Sequence, residues 1–231
     1  MARPKTVPLR VTVWLHDGRF VSTDGIIMLD AILYHAWFWK HAPEVLRGEG
    51  ADTYAGNIGL PLRQLTGNRW AASRGVYVEI SQQVEHYNKR PDFFAADKLH
   101  RLAQDKGIID DAAGAYRAYR NPIITRTIKD GRMDFWCMGH ADDIADLLGR
   151  MPAVGKKPAM GFGIIDHFEV APAEDDYSLW HPVHGLMRPV PVEEGSDDCR
   201  KYPVFRYGCK PPYWLPCNAR PCYVPIAGGT S

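Results

Sequence analysis

The sequence has no long apolar run and almost no net charge. No stretch approaches the ~20 consecutive apolar residues that a membrane-spanning helix needs, and the N-terminal MARPKTVPLR lacks the apolar segment of a secretion signal. Its 28 lysines and arginines nearly balance its 27 aspartates and glutamates, so the overall charge does not predict an anionic partner. From these absences we expect a cytoplasmic protein that engages no membrane.

Cysteine is also scarce, and it is unevenly placed. Cys137 stands alone in DFWCMG and is expected to be a small buried hydrophobe. The other four cysteines fall in one short C-terminal segment: Cys199, Cys209, Cys217 and Cys222. Structural zinc sites prefer pairs about two to four residues apart, and only the last gap comes near that spacing. We therefore favour free thiols and no metal, with a zinc-stabilised interaction module as an alternative.

The sequence lacks the common catalytic and cofactor motifs. It contains no Walker loop, dinucleotide fingerprint, H-E-x-x-H or G-x-S-x-G. A metal-independent ribonuclease needs a general base near a cation, and His16, His35, His41 and Lys40 are the candidates. Nothing in their spacing requires them to converge. We expect no catalytic residue and no cofactor, and a ribonuclease acting through His35 or His41 remains the alternative.

The hydrophobic pattern predicts alternating strands and helices. Alternation in PLRVTVWL indicates a strand at Pro8–Leu15, HDGRFV indicates a turn, and the following helical spacing indicates a helix over about Leu29–Phe38. The further predictions are a strand at Val76–Ser81, a helix over about Phe93–Gln104, two strands joined as a hairpin at Lys129–Gly131, an amphipathic helix in HADDIADLLGRM and a strand in FGIIDHFEV.

This order matches the βαββαβ plan of a ferredoxin-like α+β fold. The stretch at about 51–75, which contains several glycines, predicts a thumb or finger insertion into that core. After Val170 prolines become frequent, which indicates extended, loop-rich structure. We therefore predict a core over residues 1–170 and a proline- and cysteine-rich C-terminal extension over residues 171–231.

A basic, glycine-rich stretch precedes the last predicted core strand. It is GKKPAMGFG, residues 155–163, which we call the glycine turn. Glycine lets backbone come close to a ligand and lysine favours an anionic one, for which phosphate is the obvious candidate. A tight connection between helix and strand is the alternative. The candidate ligand-binding residues are Gly155, Lys156, Lys157, Gly161, Phe162 and Gly163.

Two further stretches combine arginine with aromatic residues. AYRAYRNPIITRT places Arg117, Arg120 and Arg126 beside tyrosines on or next to a strand, which suits a single-stranded nucleic acid whose bases stack and whose phosphates pair. A solvated strand edge would show the same pattern.

The second stretch is TGNRWAASRG, with Arg69, Trp70 and Arg74 on a glycine-flanked loop. It could be a finger wedged against a nucleic-acid strand. A surface loop anchored by one buried tryptophan is the alternative.

These motifs resemble one family. IMLDAILYHAWF is similar to the first helix of several subunits in the RAMP superfamily of CRISPR-associated RNA-binding proteins. LPLRQL and RWAASRG, together with VGKKPAMGFGIIDHFEV, most resemble the third subunit of the type IV (Csf) effector. The likeness covers about residues 8–170, and proline at position 158 departs from the basic or small polar residue that such turns often carry.

The resemblance implies a non-catalytic subunit that caps the 5′ handle of the guide RNA (crRNA). Such a subunit docks on backbone subunits, adjoins a large subunit and lies near the target DNA's PAM. By position, the glycine turn would hold the handle, and Arg69, Trp70 and Arg74 would be finger residues.

Overall fold

The computed structural model describes residues 5–46, 58–89 and 119–228, together with positions 94, 97 and 98. This part of the chain is a mixed α/β structure with antiparallel sheets and few helices. The strands are β1 (Val7–Leu15), β2 (Arg19–Val21), β3 (Gln64–Leu65), β4 (Arg69–Trp70), β5 (Glu79–Lys89), β6 (Tyr119–Ile128), β7 (Arg132–Gly139), β8 (Ile165–Pro172), β9 (Trp180–His181), β10 (Gly185–Leu186), β11 (Val190–Pro191), β12 (Val204–Gly208) and β13 (Ala219–Tyr223). The helices are α1 (Leu29–His41), α2 (Pro43–Leu46) and α3 (Ala141–Leu148). None of these helices combines the length and apolar character needed to cross a bilayer.

The centre of the molecule is a three-stranded sheet in which β1 lies between β7 and β8. Alternate residues of β1, Val13 among them, are buried on one face, as the period of two in PLRVTVWL predicts. α1 and α3 cover this face, and Leu33 and Ile144 join the same apolar core. Burial of one such side chain contributes about 2 kcal/mol. The predicted first strand and first helix are confirmed, and α1 continues past Phe38 to His41.

Two tight turns lie side by side where the chain crosses from the central sheet into a second sheet, in which β6 lies between β2 and β5. The amide of Gly18 donates to the carbonyl of Leu15 (3.2 Å), and the amide of Ile128 donates to the carbonyl of Gly18 (2.9 Å). Gly131 has φ +63°, and a Cβ there would lie 2.5 Å from the Leu15 carbonyl oxygen. This close approach of the two turns requires glycine at position 131. Both segments of the chain bend at this point as they pass from one sheet to the other.

A turn does lie at Lys129–Gly131, but the prediction that it joins a hairpin is wrong. β6 pairs with β2 and β5, whereas β7 pairs with β1. The β1–β7 ladder continues into the β2–β6 ladder in the same register, since Trp14 is opposite Arg132 and Arg19 is opposite Thr127. On one side of the corner β1 and β7 therefore pair in the central sheet. On the other side β2 and β6 pair in the second sheet. For the same reason HDGRFV, predicted to be only a turn, contains strand β2.

β5 and β6 form a long two-stranded ribbon. The strands stay paired from Ser81, opposite Thr127, to Lys89, opposite Tyr119. The predicted helix Phe93–Gln104 lies outside the described residues apart from positions 94, 97 and 98.

The described part of the predicted insertion runs along the outer edge of β7. Leu62 forms an isolated bridge with Gly139, and Val76 forms one with Asp134, with the small β3–β4 pair between them. The strand predicted to begin at Val76 is therefore displaced, because Val76 is held at β7 and β5 begins only at Glu79.

The C-terminal extension packs onto the core through buried polar groups. The fully buried guanidinium of Arg188 lies 3.5 Å from a carboxylate oxygen of Asp30 and donates to the carbonyls of Ala72 (3.2 Å) and Cys209 (3.1 Å). Tyr213 donates to the same carboxylate (2.8 Å). Burial raises the pKa of Asp30 despite the neighbouring guanidinium. The division into a core and an extension stays a prediction.

Candidate nucleic-acid interface

The glycine turn is built onto the free edge of β2. Lys156 donates its amide hydrogen to the carbonyl of Val21 (3.0 Å), and Gly163 donates to the carbonyl of Arg19 (2.7 Å). A bond from the amide of Val154 to the carbonyl of Gly163 (2.9 Å) closes the base of the turn. Main-chain bonds therefore fix the turn beside the sheet that ends in the β5–β6 ribbon.

Backbone conformation explains the glycines. Gly155 has φ +80°, and a Cβ there would lie 2.8 Å from the carbonyl oxygen of Val21. Gly163 has φ +70°, and a Cβ there would overlap the carbonyl oxygen of Val154. Lys157 adopts φ +63° although it is not glycine. Such a residue carries backbone strain, which is often found at functional sites.

Two aromatic rings hold cations at this edge of the sheet. The Nζ atom of Lys157 lies 4.0 Å from the ring centroid of Tyr87 on β5. The guanidinium carbon of Arg19 lies 5.4 Å from the ring centroid of Phe162. Both distances fall within the ~6 Å at which a ring attracts a cation. Arg19 also donates from its Nε atom to the carboxylate of Asp17 (2.9 Å), so contacts within the protein define where both cations lie.

The glycine turn also has an apolar anchor. Phe162 is buried and packs against Val21 of β2 and Ile123 of β6. Lys156 is exposed, whereas Lys157 is half-buried over the ring of Tyr87. Among the described side chains, neither lysine has a carboxylate partner. Both charges are therefore available to an anionic ligand.

The glycine turn lies on the side of the sheets opposite the helices. Side chains alternate along a strand, so Arg19 points away from the core that contains its neighbour Phe20. On β1 the same alternation places Trp14 on this side, where it stacks on His167 of β8 with ring centroids 4.4 Å apart and planes 11° apart. Tyr119 contacts Tyr87 at 6.5 Å between centroids. We call this surface the open face; its members are Trp14, Arg19, Tyr87, Tyr119, Arg132, Lys156, Lys157 and His167.

Several residues of the open face lie outside the predicted binding motifs. In the alternating pattern of PLRVTVWL, Trp14 falls among the residues that face away from the core. An aromatic residue at such a position could have predicted a binding surface. Tyr87 lies in EHYNKR, where the pattern alone does not reveal that the glycine turn approaches β5. Arg19 lies in HDGRFV, whose composition predicts a turn, although the residue begins strand β2.

The predicted arginines of the ribbon occupy different environments. Arg126 is buried, forms an ion pair with Glu79 and donates to the carbonyl of Ser22 (3.3 Å). Arg120 is exposed, but alternation along β6 places it on the opposite face from Tyr119. Arg117 lies outside the described residues. The structure therefore brings neither Arg120 nor Arg126 to the glycine turn.

Arg69, Trp70 and Arg74 contact the extension and the core instead of the glycine turn. Arg69 is buried and pairs with Glu194. Arg74 is buried, donates to the carbonyl of Gly228 (3.0 Å), and burial lowers the pKa of its guanidinium. Trp70 is half-buried and packs against the apolar core. Since their guanidinium groups already have internal partners, these arginines stabilise the fold, and a direct role in ligand binding stays a prediction.

The histidines considered for catalysis each have a separate local partner. His35 accepts a hydrogen bond from Trp39 (3.2 Å), and burial lowers its pKa. His41 stacks on Trp37 with centroids 4.5 Å apart. Lys40 pairs with Asp146 at 2.8 Å, and His16 lies 3.9 Å from Asp166. The structure gives no constellation of base and cation from these groups, and the absence of catalysis stays a prediction.

The four tail cysteines are free thiols in this structure. Cys209 and Cys222 are buried in one cluster, where the Cys209 thiol donates to the carbonyl of Asn218 (3.4 Å) and the Cys222 thiol donates to the carbonyl of Tyr207 (3.7 Å). Cys199 is buried in another cluster, and Cys217 is exposed. Among the described residues, no group of three or more histidine, cysteine, aspartate or glutamate side chains is arranged to hold a metal.

Comparison with known protein families identifies the class to which this chain belongs. It matches the type IV CRISPR-associated proteins. Within that class the matching family is described as Csf3, CRISPR type IV associated protein Csf3, over residues 7–225, and the chain belongs to this family. The predicted family is confirmed, and the match continues through the extension, beyond the 8–170 range of the sequence resemblance. No curated protein matches the chain with significant similarity.

Proposed function

We propose that this chain is the non-catalytic subunit of a type IV CRISPR effector complex that binds the crRNA and caps its 5′ handle. The observation that carries the proposal is the glycine turn itself. It presents Lys156 and Lys157 on an ordered edge of the sheet, without carboxylate partners among the described side chains and next to the Tyr87 ring. Family membership supplies the CRISPR context.

The sheet order supports a ferredoxin-like core for this subunit. Strands β8, β1 and β7 with α1 and α3 on one face correspond to most of the βαββαβ plan. The edge segment that bridges β7 at Leu62, Ala72 and Val76 takes the place of the remaining strand. The β5–β6 ribbon, in place of the stretch at about 51–75, is then the thumb that lies against the first spacer nucleotides.

The proposed binding mechanism is electrostatic attraction with base stacking. Lys156 and Lys157 neutralise phosphates of the handle, and the Tyr87 ring keeps the Lys157 ammonium in position. Tyr87 and Tyr119 offer ring faces on which unpaired bases stack, as in other single-strand sites. Because this binding needs no chemistry, the subunit requires no cofactor.

Partners follow from the same role. A handle-capping subunit works in a multi-subunit complex, against backbone subunits and a large subunit, and it lies near the PAM of the target DNA. The extension, which the family match includes, adds surface for such contacts.

The test is a gel-shift and cleavage assay in one tube, with a labelled CRISPR repeat RNA and the purified chain, with and without EDTA. We expect a shifted, intact RNA. The double variant Lys156→Ala/Lys157→Ala should lose the shift. Lys40→Ala/Arg150→Ala removes two positive charges on the helix side, where both pair with Asp146, and should retain it. Cleaved RNA would instead favour the endoribonuclease, and equal loss in both double variants would contradict a role for the glycine turn.

A further inference from the structure

A cavity of about 310 Å³ lies where the corner between the two sheets meets the extension. Its size is within the range of small-ligand sites, ~300–1,000 Å³. Its walls combine apolar and charged groups. Those that matter here are Val76, Val78, Lys129, Asp130, Arg132 and His184.

The charged groups in the cavity differ in whether they already have partners. Arg132 and Asp134 pair with each other at 3.0 Å, and Asp134 also accepts a hydrogen bond from Thr12 (2.6 Å). Lys129 and Asp130 are exposed and have no ion-pair partner among the described side chains. The cavity therefore offers one free ammonium group and one free carboxylate.

His184 contributes an unsatisfied polar atom. Its Nδ1 atom is buried and has no hydrogen-bond partner in the described structure, and such an atom costs stability until a partner binds. The ring is held by aromatic neighbours, with centroids 4.5 Å from His181 and 5.9 Å from Trp136. Burial lowers the pKa of His184. The neutral imidazole has one donor and one acceptor nitrogen, which suits the edge of a nucleobase.

The cavity adjoins the open face. Arg132, which lines the cavity, is opposite Trp14 in the β1–β7 ladder and belongs to that face. Lys129 directly follows the end of β6. Thr125 of β6 is opposite Val21, and the carbonyl of Val21 accepts the amide hydrogen of Lys156. From strand rise and spacing, roughly 15–20 Å separate Lys129 from Lys156. A strand of RNA bound at the glycine turn can reach the cavity within a few nucleotides.

We propose that this cavity binds a single unstacked nucleotide of the RNA held on the open face. Lys129 contacts its phosphate, and His184 and Asp130 hydrogen-bond the edge of its base. The inference rests on the proposed RNA-binding function. It adds a position that recognises the edge of one base to a surface that otherwise contacts only phosphates and the faces of bases.

The test is an abasic scan of the repeat RNA against the full chain and two variants, His184→Phe and Lys129→Ala. His184→Phe keeps an aromatic ring and removes its nitrogens, and its melting temperature checks the fold. One abasic position should weaken binding to the unaltered chain by about fivefold or more. That penalty should vanish in His184→Phe, while other positions keep theirs.

Two further outcomes separate this inference from the proposed function. If Lys156→Ala/Lys157→Ala abolishes RNA binding but no abasic position depends on His184, the cavity proposal fails and the handle-binding role stands. If the chain binds no RNA, titration with the four nucleoside 5′-monophosphates decides. Binding of one of them that is lost in both His184→Phe and Lys129→Ala supports the cavity, and binding of none overturns it.

Discussion

The ammonium nitrogen of Lys157 lies 4.0 Å from the ring centroid of Tyr87, so the glycine turn and the β5–β6 ribbon meet at a cation–π contact. Lys157 reaches this position with a left-handed backbone, φ +63°, which is uncommon for lysine. The contact joins the two parts of the protein that the proposal assigns to RNA.

Replacing Tyr87 tests this contact. Tyr87→Leu should lower the affinity for repeat RNA roughly tenfold or more, since a cation–π contact contributes ~0.5–1 kcal/mol and a stacked base ~1–3 kcal/mol. Tyr87→Phe keeps the ring face and should bind almost as well as the unaltered chain. Fluorescence anisotropy with labelled RNA measures both. Equal losses in the two variants would point to the hydroxyl group and not to the ring.

Two glycines of the glycine turn provide a matched pair for stability. Gly163→Ala should destabilise the fold by ~3 kcal/mol or more, because its Cβ would overlap the Val154 carbonyl oxygen in addition to the strain of φ +70°. Gly161 has φ +88° with open space around it, so Gly161→Ala should cost only ~1 kcal/mol. Urea denaturation compares them. Similar losses would show that the turn is not held as tightly as its main-chain bonds indicate.

The buried pair of Arg188 and Asp30 predicts a pH-dependent effect. Arg188→Met leaves a buried carboxylate without its guanidinium, which should cost about 3–5 kcal/mol at neutral pH. Burial already raises the pKa of Asp30 and Arg188 opposes the rise, so the variant should raise it further. A raised folded pKa gives stability that is present below the unfolded value of 3.8 and lost as the pH climbs through the folded value.

The stability deficit of Arg188→Met should therefore grow as the pH rises from acid to neutral. Denaturation at several pH values measures it, and Asp30→Asn combined with Arg188→Met should remove the pH dependence. A deficit that stays constant with pH would mean that lost packing, and not the uncompensated carboxylate, causes the destabilisation.

Alanine variants of His35 and His41 separate a binding subunit from a ribonuclease. Since each ring has its own local partner, we expect neither variant to change RNA binding or RNA integrity by more than about twofold, with or without EDTA. The readout is a denaturing gel of the labelled repeat after long incubation. Cleavage by the unaltered chain that either alanine variant abolishes would contradict the non-catalytic role.

Local patterns predicted the parts of the fold that depend on local chemistry. β1 and α1 bury one face each, so their periods of about two and 3.6 residues are visible in the sequence. The glycine turn was also visible, because its glycines have positive φ angles that other residues rarely adopt. What the sequence could not reveal is that this turn joins the edge of β2, since that depends on bonds to Arg19 and Val21 more than 100 residues away.

Long-range pairing explains the wrong predictions. Lys129–Gly131 has the composition of a hairpin turn, yet contacts between Gly18 and Gly131 direct β6 and β7 into different sheets. Arg69 looked available to a ligand because its partner, Glu194, is 125 positions away. Arg126 looked equally available although Glu79 pairs with it across the ribbon. No local window of sequence contains these partners.

The most direct test of the account is the salt dependence of RNA binding by the unaltered chain, by Lys156→Ala/Lys157→Ala and by Lys40→Ala/Arg150→Ala. Each phosphate contact on a single strand contributes about 0.7 to the slope of log affinity against log salt. If both lysines contact phosphates, the first double variant should lower the slope by roughly 1.4 and the second should leave it unchanged. The same slope for all three proteins would contradict the account, because the glycine turn would then contribute no phosphate contacts.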